Sequence, residues 1–388
     1  QRIAADLRRL AADDMQGRET GTPGYERAAA FVAAQMADAG LEPAGEGGTW
    51  FQRVPLLTGT PLRDGARLAV VREGEVDELR FGDEFLPWSS FSAMQHSVRA
   101  PAVFVGHAIH APELDHDDFA GVDLRGRIAV LLPGAPDSFD VNARAFHSAT
   151  REKFTALSER GAVGAVIVST PQFEARVPWA RMQAAWDKPA MRLHDAEGIA
   201  IDGFPQLQGV AAVGVAAADT LLFKPGRAAA EIFDRARSGT GRAFELEGEI
   251  IIEGATRIEA IESHNVVGRL AGSDPELAGE HVVHTAHLDH VGVIAMRDGD
   301  AIHSGAIDNA LGVSILLETA RTLLAADAAP RRSQLFVALT GEEQGLLGAQ
   351  HFVAHPTVVR EGLVANINID MPVLLAPSTD AVVIGAEH

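Results

Sequence analysis

From about residue 260 onward, apolar strand-like runs alternate with helix-like runs, and this alternation constrains the fold more than any other feature of the chain. "EHVVHTAHLD" precedes a helix read from about Asn309 to Ala325; "SQLFVALT" precedes a helix from about Gln344 to Ala354; "LVANINID" closes the series. Strands of this kind, separated by helices, predict an α/β architecture: a mixed, mostly parallel sheet flanked by helices. In such sheets ligands collect beyond the carboxyl ends of the strands.

Those ends carry metal-binding side chains. The first strand runs into His287 and Asp289, the second into the adjacent pair Glu342 and Glu343, and the third into Asp370. Asp308 stands where the intervening helix begins. The chain contains no cysteine, so a metal site must be built from His, Asp and Glu, a donor set that suits zinc. Two neighbouring carboxylates repel when buried without a cation. A metal held by one relieves that cost and leaves the other to take a proton from an activated water. His287 and Asp289 share one side of an extended chain, as expected of a ligand and a carboxylate that orients it. By the same alternation His290 faces away from His287, and it is read as a bystander. His281 and His284 are read as packing or surface residues.

The rest of the chain is organised differently. Residues 2–13 and 25–40 have helical spacing, joined by the Gly-rich "DMQGRETGTPG", which lacks the Gly-Lys-Ser/Thr of a phosphate loop and is read as a structured connector. From about residue 66 short Val/Ile/Leu runs predominate, as in "APAVFVGHAI", "GRIAVLLPG" and "GAVGAVIVST". The sequence therefore divides into an N-terminal piece (1–79), an inserted β-rich unit (80–245), and a C-terminal piece (246–388) that completes the first. Within the insertion, "HAPELDHDDF" is read as a solvated loop, with a calcium site as the rival reading. A net charge of −20 argues against a nucleic-acid surface. No apolar run reaches the length of about 18 residues that a membrane-spanning helix needs. Oligomeric state leaves no mark in the sequence.

Taken in order, "AHLDHVG", "GAIDNALGV", "ALTGEEQGLLGAQHF" and "NINIDM" resemble the zinc-dependent aminopeptidase family of co-catalytic di-zinc exopeptidases, as does "GRETGTPGYERAAAFVAAQMADAGL" near the start. The inserted part resembles a protease-associated domain. The resemblance implies two Zn2+ per complete catalytic domain. His287 and Asp370 would bind one zinc, Asp308 would bridge both, and Glu343 would bind the other. Glu342 would be the general base and Asp289 the orienter of His287. It also implies a further histidine ligand downstream of residue 388, so the catalytic domain reads as truncated, with "VVIGAEH" resembling the segment after the Asp370 motif.

The expected activity is removal of N-terminal residues from peptides that carry a free amine. A carboxypeptidase or amidase on the same scaffold, a binding or receptor homologue without catalysis, and a zinc acyltransferase that cyclises N-terminal glutamine are the alternatives. A periplasmic or secreted location, with a signal peptide removed before Gln1, is expected.

Overall fold

The computed structural model describes residues 1–222, 228–294 and 301–372, which form two compact units. One comprises Gln1–Pro55 and Ile261–His388, the other Leu56–Ala260. The insertion read as 80–245 thus lies within a unit whose limits fall at 56 and 260.

In the first unit, helices α1 (Arg2–Leu10) and α2 (Pro23–Ala39) are followed, beyond the insertion, by strand β1 (Phe244–Leu270), of which residues 261–270 belong here. Then come β2 (His281–His287), α3 (Leu311–Leu324), β3 (Ser333–Leu339), α4 (Leu347–Ala354) and β4 (Leu363–Asn368). The sheet order is β4-β2-β3-β1, with β2 parallel to β3 and β4, and β1 antiparallel to β3. This is the mixed, mostly parallel sheet expected from the alternation. Each helix after residue 260 starts later than the sequence suggested, because the residues that carry the site chemistry occupy turns ahead of it.

The helices lie on both faces. Leu10, Tyr25, Val32, Met36, Leu316 and Leu317 pack against Val266, Ala286, Phe336 and Ala338 on one side. Phe352 of α4 packs with Val267, Val283, Leu335, Val337 and Leu339 on the other. The β3 sequence "SQLFVAL" is buried at every position, which explains why it lacks polar alternation. β4 differs from a buried strand: Val364 and Ile367 are 47% and 50% exposed, and β2 is its one strand partner among the described residues. His281 and His284 are buried packing residues. The His284 ring stacks on Phe336 with centroids 4.9 Å apart and bonds to Gln334 at 2.9 Å.

In the second unit, Gln95–Phe104, Ile128–Leu131, Gly164–Val168 and Val210–Val213 form a parallel run of strands, with Phe85–Pro87 antiparallel at its end. Val98, Phe104, Ile128, Val130, Val166 and Val213 form its core. Asp118 of the "HAPELDHDDF" segment is buried and accepts the backbone N–H groups of His107 and Ile109 at 2.9 and 3.2 Å. Its carboxylate is therefore engaged in holding a loop.

Candidate metal centre

β2 ends at His287, and the next peptide stays attached to the end of β3, with Leu288 N–H donating to the Leu339 carbonyl at 2.7 Å. The chain therefore delivers His287 and the "TGEE" turn to the same edge. The His287 Nδ1 lies 3.1 Å from the main-chain oxygen of Asp289. A proton donated along that contact leaves the Nε2 lone pair facing Asp308 Oδ1 at 3.1 Å and Asp370 Oδ1 at 3.3 Å, with Glu342 Oε2 at 3.9 Å.

A second cluster lies beside the first. His290 Nδ1 is 2.6 Å from Glu343 Oε1 and 4.0 Å from Asp308 Oδ2. The two clusters, His287-Asp308-Asp370 and His290-Asp308-Glu343, each offer one ligand atom per residue within 4.8 Å, and Asp308 is common to both. One Asp308 oxygen faces each histidine. His290 corrects the alternation argument. The extended strand stops at His287, so residue 290 lies in a turn whose N–H donates to the Arg18 carbonyl at 3.2 Å, and period-two parity no longer applies.

Asp289 also differs in detail from the expectation. Its carboxylate is 3.9 Å from His287 Nδ1, too far for a hydrogen bond, and it is the backbone carbonyl that meets the ring. The buried carboxylate instead accepts the N–H groups of Glu342 and Glu343, at 3.1 and 3.2 Å. Asp289 thus holds the Glu-Glu turn directly.

Two supports were not singled out from the sequence. Thr20 of the Gly-rich connector accepts the Gly341 N–H at 3.0 Å, beneath that same turn. Asn309 donates to the Ile369 carbonyl at 2.9 Å and accepts from Gly312 at 3.0 Å, tying the Asp308 turn to the segment that bears Asp370. Both contacts join residues far apart in the chain, and no local spacing records them.

The electrostatics separate the two adjacent glutamates. Burial lifts the Glu342 carboxyl above its ordinary value, and Asp289, Glu343 and Asp370 push the same way against His287. Glu343 is lowered, chiefly by the hydrogen bond from His290. Burial opposes the His287 imidazolium, yet Asp289, Glu342, Asp370 and Asp308 together raise it. With Nε2 free as a lone pair, His287 and the carboxylates around it form a cluster whose negative charge a bound cation would offset. The mixed N and O donors fit zinc.

Residues 265–384 match the family model "Peptidase family M28". Over that span, somewhat under a third of the chain, the sequence is similar to Peptidase family M28. The M28 span is also similar to curated proteins. A probable zinc metalloprotease of Pyrenophora tritici-repentis (strain Pt-1C-BFP) is 45% identical over 73 residues, 19% of this chain and 16% of that protein. Aminopeptidase YwaD of Bacillus subtilis (strain 168) is 38% identical over 87 residues, 22% of this chain and 18% of that one. These matches span less than a fifth of either relative. The fold is shared more widely. The solved aminopeptidase from Aneurinibacillus sp. strain AM-1 aligns over 95% of this chain and 69% of its own, with a TM-score of 0.52 and 17% identity. No helix of the described residues is long and apolar enough to cross a membrane. The "VVIGAEH" segment lies outside the described residues.

Proposed function

We propose that this chain is a zinc-dependent exopeptidase of the M28 type that removes N-terminal residues from peptides, with two zinc ions per complete catalytic domain. The observation that carries the reading is the pair of metal-capable clusters that share Asp308, with Glu342 beside them. His287 and Asp370 would hold one ion, Glu343 the other, and Asp308 both. Zinc, when bound, supplies Lewis-acid polarisation of a carbonyl and makes a water acidic enough to attack at neutral pH.

Glu342 does the proton work. Its carboxyl is half-buried and raised, which gives a base near the attacking water whose conjugate acid can then protonate the leaving amine. Glu343 is held anionic by His290, the state a ligand needs. Asp289 fixes both by gripping their backbone N–H groups. A cavity of about 680 Å³ adjoins the cluster, lined by His287, Glu342 and Asp370 and walled by Leu346, Phe352 and Val353, which is room for a peptide end. The Leu56–Ala260 unit is read as a protease-associated domain, and a periplasmic or secreted location fits the cysteine-free composition.

The test compares a short peptide bearing a free N-terminal amine with its acetylated twin, after chelation and after zinc is restored. The expected result is cleavage of the free-amine peptide alone, lost on chelation and regained with zinc. Cleavage of both peptides would move the assignment to a carboxypeptidase, amidase or endopeptidase. Cleavage of neither, with zinc bound, would make the chain a non-catalytic binding homologue.

A further inference from the structure

Arg18 is fully buried, yet its hydrogen bonds go to carbonyl oxygens and not to carboxylates. Nε donates to Leu288 at 2.8 Å, Nη1 to Leu10 and Ser304, both at 2.7 Å, and Nη2 to Gly305 at 2.9 Å. Leu288 lies between His287 and Asp289, and Ser304 and Gly305 begin the turn that leads to Asp308. One guanidinium therefore spans two of the turns that bring metal-ligating side chains. The main chain delivers it at a cost. Gln16, Gly17 and Arg18 have φ of 51°, 65° and 51°, a left-handed run that is disfavoured for the two residues with a Cβ. A Cβ on Gly17 would come within 2.4 Å of the His303 oxygen and 2.6 Å of the Gly292 oxygen, so the bend is packed tightly against those turns. The Arg18 and Gly17 carbonyls accept from His290 and Gly292, both at 3.2 Å.

We propose that Arg18 is a positioning residue of the metal centre, a fixed cation whose planar fork holds the His287–Asp289 turn and the Asp308 turn at the separation metal binding needs. The inference rests on reading the cluster as a zinc centre. Burial draws Arg18 down to about 10, opposed by Asp289, Asp308 and Glu343, so it remains charged at neutral pH and offsets those acids without presenting an oxygen ligand. A lysine would keep the charge but lose the fork, and with it the simultaneous grip on both turns.

The experiment uses the whole 388-residue chain as wild type, Arg18→Lys and Arg18→Gln. It measures zinc affinity by competition with a chromophoric chelator, and the melting temperature and near-ultraviolet circular dichroism of the zinc-free proteins. Both variants are expected to stay folded and to bind zinc roughly 10- to 100-fold more weakly, the usual loss when a group that orients ligands is removed. Wild-type affinity in either folded variant would overturn the positioning role, even if its melting temperature falls. Variants that do not fold would also overturn it, making Arg18 a folding residue. Failure of the wild type itself to bind zinc would instead overturn the zinc reading.

Discussion

Glu342 and Glu343 are adjacent in sequence but occupy opposite electrostatic surroundings, one raised by burial and neighbouring acids, the other lowered by His290. Replacing Glu342 by Gln removes the proton acceptor and little volume. Turnover should fall by about 10²- to 10⁴-fold, while the zinc content, measured by elemental analysis of the purified variant, stays at the wild-type value. An active Glu342→Gln enzyme would move the base elsewhere. At this scale the sequence was legible wherever a side chain closed a strand. His287, Glu342, Glu343 and Asp370 follow strand ends and Asp308 opens a helix turn, and the structure brings these five together. His290 was missed because its direction is set by a turn, for which strand parity has no meaning. Arg18 was missed because every partner that gives it a role, except Leu10, is far away in the chain.

Between β3 and α4 the chain turns back on itself so closely that residue 348 has no room for a side chain. A Cβ on Gly348 would lie 2.3 Å from the Thr340 oxygen and 2.4 Å from Asn265 Oδ1. Asn265 in turn accepts the Thr340 N–H at 3.0 Å and donates to the Gly348 carbonyl at 2.9 Å, so three elements meet at Thr340, just ahead of the Glu342 turn in sequence. Gly348→Ala should therefore destabilise by about 1–3 kcal/mol, read as a lower urea midpoint with an unchanged slope. An unaltered midpoint would mean that the turn relaxes freely. The strands and helices around this point were legible from periodicity, but their starts were not. Contacts to Thr20, Asp289 and Asn309 hold the residues just ahead of Leu311 and Leu347 in turns, and periodicity does not register them.

The two units respond to different variables. On the proposed reading zinc would act on the unit that contains the clusters, whereas the Leu56–Ala260 unit contains a buried lysine. Lys153 donates to the carbonyls of His107 and Gly134, and burial lowers its pKa to about 7. Its unfolded value is near 10.4. Between these values the unfolded chain binds more protons than the folded one, so stability rises with pH from about 7 toward 10. Below 7 the full penalty applies. The gain across that window is on the order of 5 kcal/mol, and it should disappear in Lys153→Met when denaturation midpoints are compared at pH 7 and pH 9.5. A wild type whose midpoint falls over that interval relative to Lys153→Met would contradict this. The change in texture reads as an interrupted α/β unit around a β-rich insertion, whereas the compact units divide at 56 and 260. Those limits were not legible, because the strands Phe51–Arg72 and Phe244–Leu270 run through them without a break in pattern.

The grip of Arg18 on Leu288 also has a consequence in time, because it joins residues 270 positions apart. At a synthesis rate of about 5–20 residues per second, a ribosome takes roughly 14–54 s to travel that distance. For that interval α1 and α2 have been made, but the sheet that will bury Leu10, Tyr25 and Met36 has not. The insertion closes its own contacts over a shorter stretch and can fold while the first helices wait. Helices α1 and α2 thus keep their apolar faces uncovered the longest during synthesis.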